Sequence, residues 1–351
     1  MKLLIYFLLL VTTFSCCKPE KSTLFTLIPP EESGITFSNR ITESDTLNIL
    51  IEEYIYNGGG VGVGDFNNDD LPDLYFTGNM VDNALYLNRG NMQFDEVTAE
   101  AQVAGNGQWC SGVALVDINQ DGWLDIYVSS TLSKDSLRRQ NLLYVNQGLN
   151  ENKVPTFTES AEEYGIADTG NTTQAAFFDY DRDGDLDLYL LTNVIDTKQP
   201  TNYRAKLEDG SAANTDRLYR NPGSGPGQAI QPFVDVSREA GILIEGFGLG
   251  ITVTDINLDG WPDIYITNDY ITNDLLYVNN QDGTFTNRVA DYLKHQSYSA
   301  MGSDVADINN DGRSDIIALD MLPESNLRQK QMLGPNRYVT YLNNDRYNFQ
   351  H

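Results

Sequence analysis

Residues 60–76 read Gly60-Val61-Gly62-Val63-Gly64-Asp65-Phe66-Asn67-Asn68-Asp69-Asp70-Leu71-Pro72-Asp73-Leu74-Tyr75-Phe76: a glycine-spaced apolar run, an acidic turn, a second apolar run. The turn follows the pattern D-x-[DN]-x-D-[GD]-x-x-D, which recurs four more times in the 351-residue chain. Its oxygen-bearing positions 1, 3, 5 and 9 are Asp65/Asn67/Asp69/Asp73, Asp117/Asn119/Asp121/Asp125, Asp179/Asp181/Asp183/Asp187, Asp255/Asn257/Asp259/Asp263 and Asp307/Asn309/Asp311/Asp315. Oxygen side chains at alternate positions of a tight turn converge on one point. That suits a hard cation taking about six to eight oxygens, Ca2+ best of all. Asp, Asn and Gly also dominate ordinary turns for backbone reasons, but such turns ask for one or two of them, not for four oxygen positions in every copy.

A similar acidic pattern opens the EF-hand loop, which closes on a bidentate Glu at position 12 between two helices. Here position 12 is Phe76, Val128, Leu190, Ile266 and Ala318, so the closing carboxylate is the aspartate at position 9. After it come Leu74-Tyr75-Phe76, Ile126-Tyr127-Val128, Leu188-Tyr189-Leu190, Ile264-Tyr265-Ile266 and Ile316-Ile317-Ala318, the composition of buried strands. Each loop should therefore join two strands. Position 2 is apolar in every copy (Phe66, Ile118, Tyr180, Ile256, Ile308) and should pin the turn to the core. Position 6 is Gly in four copies and Asp70 in the first, residue types that tolerate the left-handed backbone of a sharp turn.

The first aspartates of the five loops stand 52, 62, 76 and 52 residues apart. A period of about 40–50 residues is that of a four-stranded propeller blade. The rest of each unit fits a blade. A second element reads Asn83–Asn88, Asn141–Asn146, Asp216–Asn221 and Asp274–Asn279, each with Leu-Tyr-x-Asn at its end save for Arg220 before Asn221. A third begins at Phe94, Phe157, Phe233 and Phe285. Glycine-rich runs such as Gly60–Gly64 and Gly248–Ile251 precede the loops, where small residues allow close packing around a central channel. The expected fold class is all-β: a β-propeller of four-stranded blades with at least five repeat units.

The string G-x-G-x-x-x-x-D-x-N-x-D-G-x-x-D-[IL]-Y-[VI], followed by L-Y-x-N-x-G and F-x-x-V, resembles the FG-GAP/VCBS repeat, the blade of integrin-α-type β-propellers. The resemblance covers about residues 24–322. It implies loops that each bind Ca2+ through the side chains at positions 1, 3, 5 and 9 and the carbonyl of position 7, here Leu71, Trp123, Asp185, Trp261 and Arg313. The wider order of elements also resembles secreted bacterial proteins similar to cartilage acidic protein, in which such repeats precede an ASPIC/UnbV domain.

Residues 1–15 open with Lys2 and run apolar from Leu3 to Val11, which reads as a signal peptide. Ser15-Cys16-Cys17 follows, resembling a bacterial lipoprotein cleavage site with Cys16 as the lipidated residue and residues 16–23 as the linker; Cys17 is the alternative. The unit begun at Asp307 reaches no Leu-Tyr-x-Asn strand, and residues 323–351 are polar and irregular. Since a propeller closes its ring to remove free sheet edges, we expect the chain to be a fragment, with this segment the start of a further blade.

The formal charge of −27 argues against a nucleic-acid partner, which needs a basic face. Five Ca2+ ions would bring it to about −17. Catalysis finds little support: there are two histidines, His295 and His351, and neither G-x-S-x-G nor H-E-x-x-H occurs. Cys110 is expected to be a buried small hydrophobe. Tyr75, Tyr127, Tyr189 and Tyr265 recur at one strand position and should pack within the blades, and Trp123 and Trp261 should lie over neighbouring blades. Residues 195–215 interrupt the repeat, and insertions in repeat proteins often map to the binding face. The sequence thus points to a Ca2+-binding, non-enzymatic scaffold for protein or carbohydrate, lipid-anchored at the outer membrane of a bacterial envelope. The alternative is an accessory or catalytic component of polysaccharide or cell-envelope processing.

Overall fold

The computed structural model describes residues 24–195, 204–223, 229–269 and 272–321, with positions 227, 323, 325–328, 342 and 346 besides. The expected signal peptide, the linker, Cys16 and most of residues 323–351 lie outside the described residues.

Four consecutive antiparallel sheets, each of four strands in sequence order, carry the fold. They are β1 (Val61–Gly64), β2 (Asp73–Phe76), β3 (Ala84–Asn88) and β4 (Phe94–Glu96); β5 (Cys110–Val116), β6 (Asp125–Ser130), β7 (Leu142–Leu149) and β8 (Pro155–Glu159); β9 (Thr172–Phe178), β10 (Asp187–Thr192), β11 (Arg217–Arg220) and β12 (Val234–Asp235); β13 (Gly248–Thr254), β14 (Asp263–Asn268), β15 (Leu275–Asn279) and β16 (Phe285–Asn287). A fifth sheet has β17 (Ala300–Ala306) and β18 (Asp315–Asp320) among the described residues. Every acidic loop closes the first hairpin of its sheet, with register pairs Gly64 and Asp73, Val116 and Asp125, Phe178 and Asp187, Thr254 and Asp263, Ala306 and Asp315.

The core is serial. One apolar cluster sits between the first and second sheets (Phe66, Tyr75, Leu85 against Ile126, Val128), another between the second and third, another between the third and fourth. This is the propeller-like order expected of the repeats. First strands of successive sheets abut at their glycines: a Cβ on Gly60 would meet Val113 N at 2.9 Å, one on Gly112 Thr173 O at 2.5 Å, one on Gly250 the Cα of Gly302 at 2.9 Å. The outward face of the first sheet is covered by Ile35 and Phe37 from the N-terminal segment, Phe37 stacking on Phe76 at 5.1 Å.

Position 2 of the loop is buried at Phe66, Ile118 and Tyr180, half-buried at Ile256 and 59% exposed at Ile308. The expectation that it pins every turn to the core therefore fails in the fifth loop, because a position-2 side chain needs a following sheet to pack against. Cys110 is fully buried, and burial pushes its thiol up to about 11. Of the insertion, residues 204–215 are described: Arg204 pairs with both carboxylate oxygens of fully buried Glu245 at 2.5 and 2.7 Å, and Leu207 N donates to the same carboxylate.

The recurrent tyrosines are buried and bonded in two ways. In the first two sheets the amides of Asn83 and Asn141 donate to the hydroxyls of Tyr75 and Tyr127, which donate onward to Val103 O and Ile166 O. In the next two sheets Asp216 and Asp274 take the asparagine position and accept from Tyr189 and Tyr265 at 2.9 and 2.8 Å. Burial pushes the Asp216 carboxyl up to about 7, opposed by hydrogen bonds from Thr192 N and the Tyr189 hydroxyl.

Two outcomes follow from this packing. Gly112→Ala should cost about 1–3 kcal/mol in urea unfolding, since its Cβ meets backbone that cannot swing away, whereas a Cβ on Gly302 meets nothing within 4 Å and should cost far less; equal losses would contradict the close approach. The folded pKa of Asp216 lies above its unfolded value, so its contribution to stability is complete below about pH 4 and is lost as pH rises through about 7. Asp216→Asn should therefore flatten the fall in Tm between about pH 5 and pH 8, and a steeper fall than in the unsubstituted chain would refute the assignment.

Candidate metal centres in the acidic loops

The five loops share one backbone. Position 4 is left-handed in all of them, at Asn68, Gln120, Arg182, Leu258 and Asn310 with φ between 55° and 61°. Position 6 is left-handed too, at Asp70 (65°) and at Gly122, Gly184, Gly260 and Gly312. Two left-handed residues one apart turn successive N–H groups inward, and the aspartates hold them. The position-1 carboxylate (Asp65, Asp117, Asp179, Asp255, Asp307) accepts from the N–H of position 5 at 3.0–3.1 Å and of position 6 at 2.7–3.1 Å. The position-5 carboxylate (Asp69, Asp121, Asp183, Asp259, Asp311) accepts from the N–H of Leu71, Trp123, Asp185, Trp261 and Arg313.

The position-9 aspartate is the most constrained. Its Oδ2 accepts from the N–H of position 2, at Phe66, Ile118, Tyr180, Ile256 and Ile308. In the four complete sheets its Oδ1 accepts from the backbone N–H of Asn88, Asn146, Asn221 or Asn279 at 2.7–2.8 Å. These asparagines end the Leu-Tyr-x-Asn element and were not among the site residues expected from sequence, although their recurrence was visible. Burial pushes Asp73 up to about 6 and Asp125 and Asp187 to about 7, with the position-1 or position-5 carboxylates adding to the rise.

Position 3 divides the loops. In the first, second and fourth, the amide of Asn67, Asn119 or Asn257 donates to the position-5 carboxylate at 2.9–3.1 Å, so the turn satisfies itself. The fifth loop differs from these three. Its Asn309 is exposed, and among the described residues its amide makes no such bond to Asp311, although Asp311 itself is held by Asp307 and Arg313 N. In the third loop, Asp181 has no proton to give. Its Oδ1 is buried without a hydrogen bond of good geometry; burial raises its carboxyl, the Asp183 charge adds to the rise and the Asp183 N–H opposes it. Carboxylate oxygens of Asp179, Asp181 and Asp187 lie within 4.8 Å of one another, the one such group among the described residues. Three converging oxygens, one of them without a hydrogen bond of good geometry, fit a hard cation. Asp183 and the Asp185 side chain stand outside that group: Asp183 Oδ1 accepts from Asp185 N, and Asp185 Oδ1 accepts from Gln120 Nε2 of the second loop.

That last bond is one of a series. Asn68 donates to Gly122 O in the next loop, Gln120 to Asp185, and the Arg182 guanidinium lies 5.2 Å over the Trp261 ring. Position 4 thus reaches from each of the first three loops to its successor. Trp261 does meet the neighbouring blade, whereas the Trp123 ring lies beside Gly148 of its own sheet.

The FG-GAP-like repeat family matches residues 53–128 and 255–318, which hold the first, second, fourth and fifth loops. Cartilage acidic protein 1 of Xenopus tropicalis is 27% identical over 214 residues, 60% of this chain and 29% of that protein. The mouse and human proteins of the same name are each 26% identical over 60% of this chain and 28% of their own length. The chain therefore spans less than a third of the length of these relatives. Among solved structures, an Agrocybe aegerita lectin described as specifically recognising non-reducing terminal N-acetylglucosamine aligns with a TM-score of 0.40 at 16% identity, over 74% of this chain and 59% of the other, too loosely to carry an argument. The chain carries FG-GAP-like repeats in two regions, residues 53–128 and 255–318, and is similar in sequence to cartilage acidic protein 1.

Proposed function

We propose that the chain is a Ca2+-stabilised, propeller-like scaffold that binds protein or carbohydrate, held at the bacterial outer membrane through a lipid on Cys16. The observation that carries the cation reading is the third loop, where Asp179, Asp181 and Asp187 converge and the buried Asp181 oxygen has no hydrogen bond of good geometry. Asp179, Asp181, Asp183 and Asp187 would hold the ion there with the carbonyl of Asp185, and the equivalent residues would do so in the other loops. A bound dication supplies fixed positive charge and nothing redox-active. The protein's own part is to gather carboxylates that otherwise repel one another. The binding role rests on the serial sheets and on the resemblance of the repeats to those of integrin-α-type propellers. The lipid anchor rests on Ser15-Cys16 after the apolar run.

Thermal melts of the chain without residues 1–15 provide the test. Millimolar Ca2+ should raise Tm over EDTA, because an ion binding only the folded state stabilises by about 2.7 kcal/mol per site at a hundred times Kd; superimposable melts would end the proposal. Asp181→Asn should reverse sign between the two conditions. In EDTA it removes a buried, repelled charge and should hold or raise Tm, while in Ca2+ it removes a ligand and should lower Tm relative to the unsubstituted chain. A variant that loses equally in both conditions would make Asp181 structural only.

A further inference from the structure

Opposite the acidic loops, where the first strands begin, the five sheets surround a cavity of about 460 Å3. Its wall takes one or more residues from every sheet, including Val61, Val113, Gln174, Leu249 and Met301. This size falls at the lower end of small-ligand pockets. The chain has 50 acidic and 23 basic residues, yet among the described residues the lining holds no Asp, Glu, Lys, Arg or His. An anion finds no cationic partner there, and a cation finds no carboxylate. What the wall offers instead is aromatic rings, from Tyr54, Tyr56 and Trp109, and neutral hydrogen-bonding groups.

Asn193 is the focus. It is 5% exposed and interacts with the Tyr54 hydroxyl, which donates to Asp269 Oδ2 at 3.0 Å; beyond that contact neither the nitrogen nor the oxygen of its side-chain amide has a hydrogen bond of good geometry. A buried amide left this way is costly and calls for a partner. Nearby, Leu132 is held at φ 58°, an uncommon conformation for a bulky apolar residue and one that recurs at ligand sites. An amide presents one donor edge and one acceptor at fixed spacing, which matches two adjacent hydroxyls, and an aromatic ring matches a face of C–H bonds. Neutral sugars combine these two features in one small unit.

We propose that this cavity binds the terminal residue of a neutral glycan, Asn193 bonding adjacent hydroxyls and the aromatic rings packing on the sugar's apolar face. The proposal rests on the scaffold reading above and narrows it to one site and one ligand class. The full chain, in Ca2+, is applied to immobilised glycans ending in neutral hexoses, in N-acetylhexosamines, or in uronic and sialic acids, with uncharged peptides alongside. Binding should be confined to the neutral termini. Asn193→Leu should lose at least about tenfold in affinity while its Tm holds or rises, because it removes an unmet buried polar group. Tyr56→Ala, at a residue 59% exposed, should weaken binding without unfolding and decides the matter if Asn193→Leu does not fold. Glycan binding unchanged in both variants, or confined to acidic termini, overturns the cavity assignment and leaves the scaffold reading standing. Capture of peptides alone overturns the sugar, and capture of nothing at all overturns both readings.

Discussion

Everything at the loop end of this molecule hangs on the position-9 carboxylate. Asp73, Asp125, Asp187 and Asp263 are fully buried, and each ties the start of its own loop to the end of the third strand through two backbone N–H groups. One side chain thus fixes the hairpin, the neighbouring strand and the depth of the turn. The arrangement carries a penalty, since burial makes the charged form less favourable and the other loop carboxylates add to it. The hydrogen bonds oppose that penalty without removing it, so the same group that organises the turn is strained electrically at neutral pH.

The asparagines at the ends of β7 and β15 carry the constraint outward. Besides receiving position 9, Asn146 donates through its side chain to Phe66 O, and Asn279 to Tyr180 O, both in the loop of the preceding sheet. Position 4 adds a second set of links in the opposite direction along the chain. The first and second loops are thus joined by two hydrogen bonds running in opposite directions, the second and third by the bond from Gln120 to Asp185, and the third and fourth by Asn279 and by Arg182 over Trp261.

Much of this was legible in the sequence because it repeats. Period, loop positions, the hairpin context and the buried tyrosines all follow from residue types that recur at fixed spacing. Left-handed backbone at position 6 could be read from Gly122, Gly184, Gly260 and Gly312, whereas the same conformation at position 4 could not, since Asn68, Gln120, Arg182, Leu258 and Asn310 share no side-chain property. What they share is set by the turn around them. Ile308 misled for a related reason: residue type states a preference for burial, but the surface that would enforce it belongs to another sheet. The cavity was invisible to sequence pattern because its wall is assembled from short stretches distant in sequence and brought together from five sheets. Nor does Asn193 differ in type from the other asparagines; only its surroundings leave its amide without a hydrogen bond of good geometry.

The strap that lays Ile35 and Phe37 on the first sheet has a consequence for the order of assembly. In a series of units whose apolar contacts run almost wholly between neighbours, stability is close to a sum of unit and interface terms, and structure can spread from one end. Contacts within a four-strand meander are local, which favours rapid closure of each unit in turn. The first sheet would be the exception, since among the described residues no sheet precedes it to cover its outward face. With Phe37 stacked on Phe76 and Thr36 N bonded to the Tyr86 hydroxyl, it is capped by chain that precedes it in the sequence. A polypeptide emerging amino end first thus presents the cap before the sheet that needs it, and each later sheet meets a finished surface on which to grow.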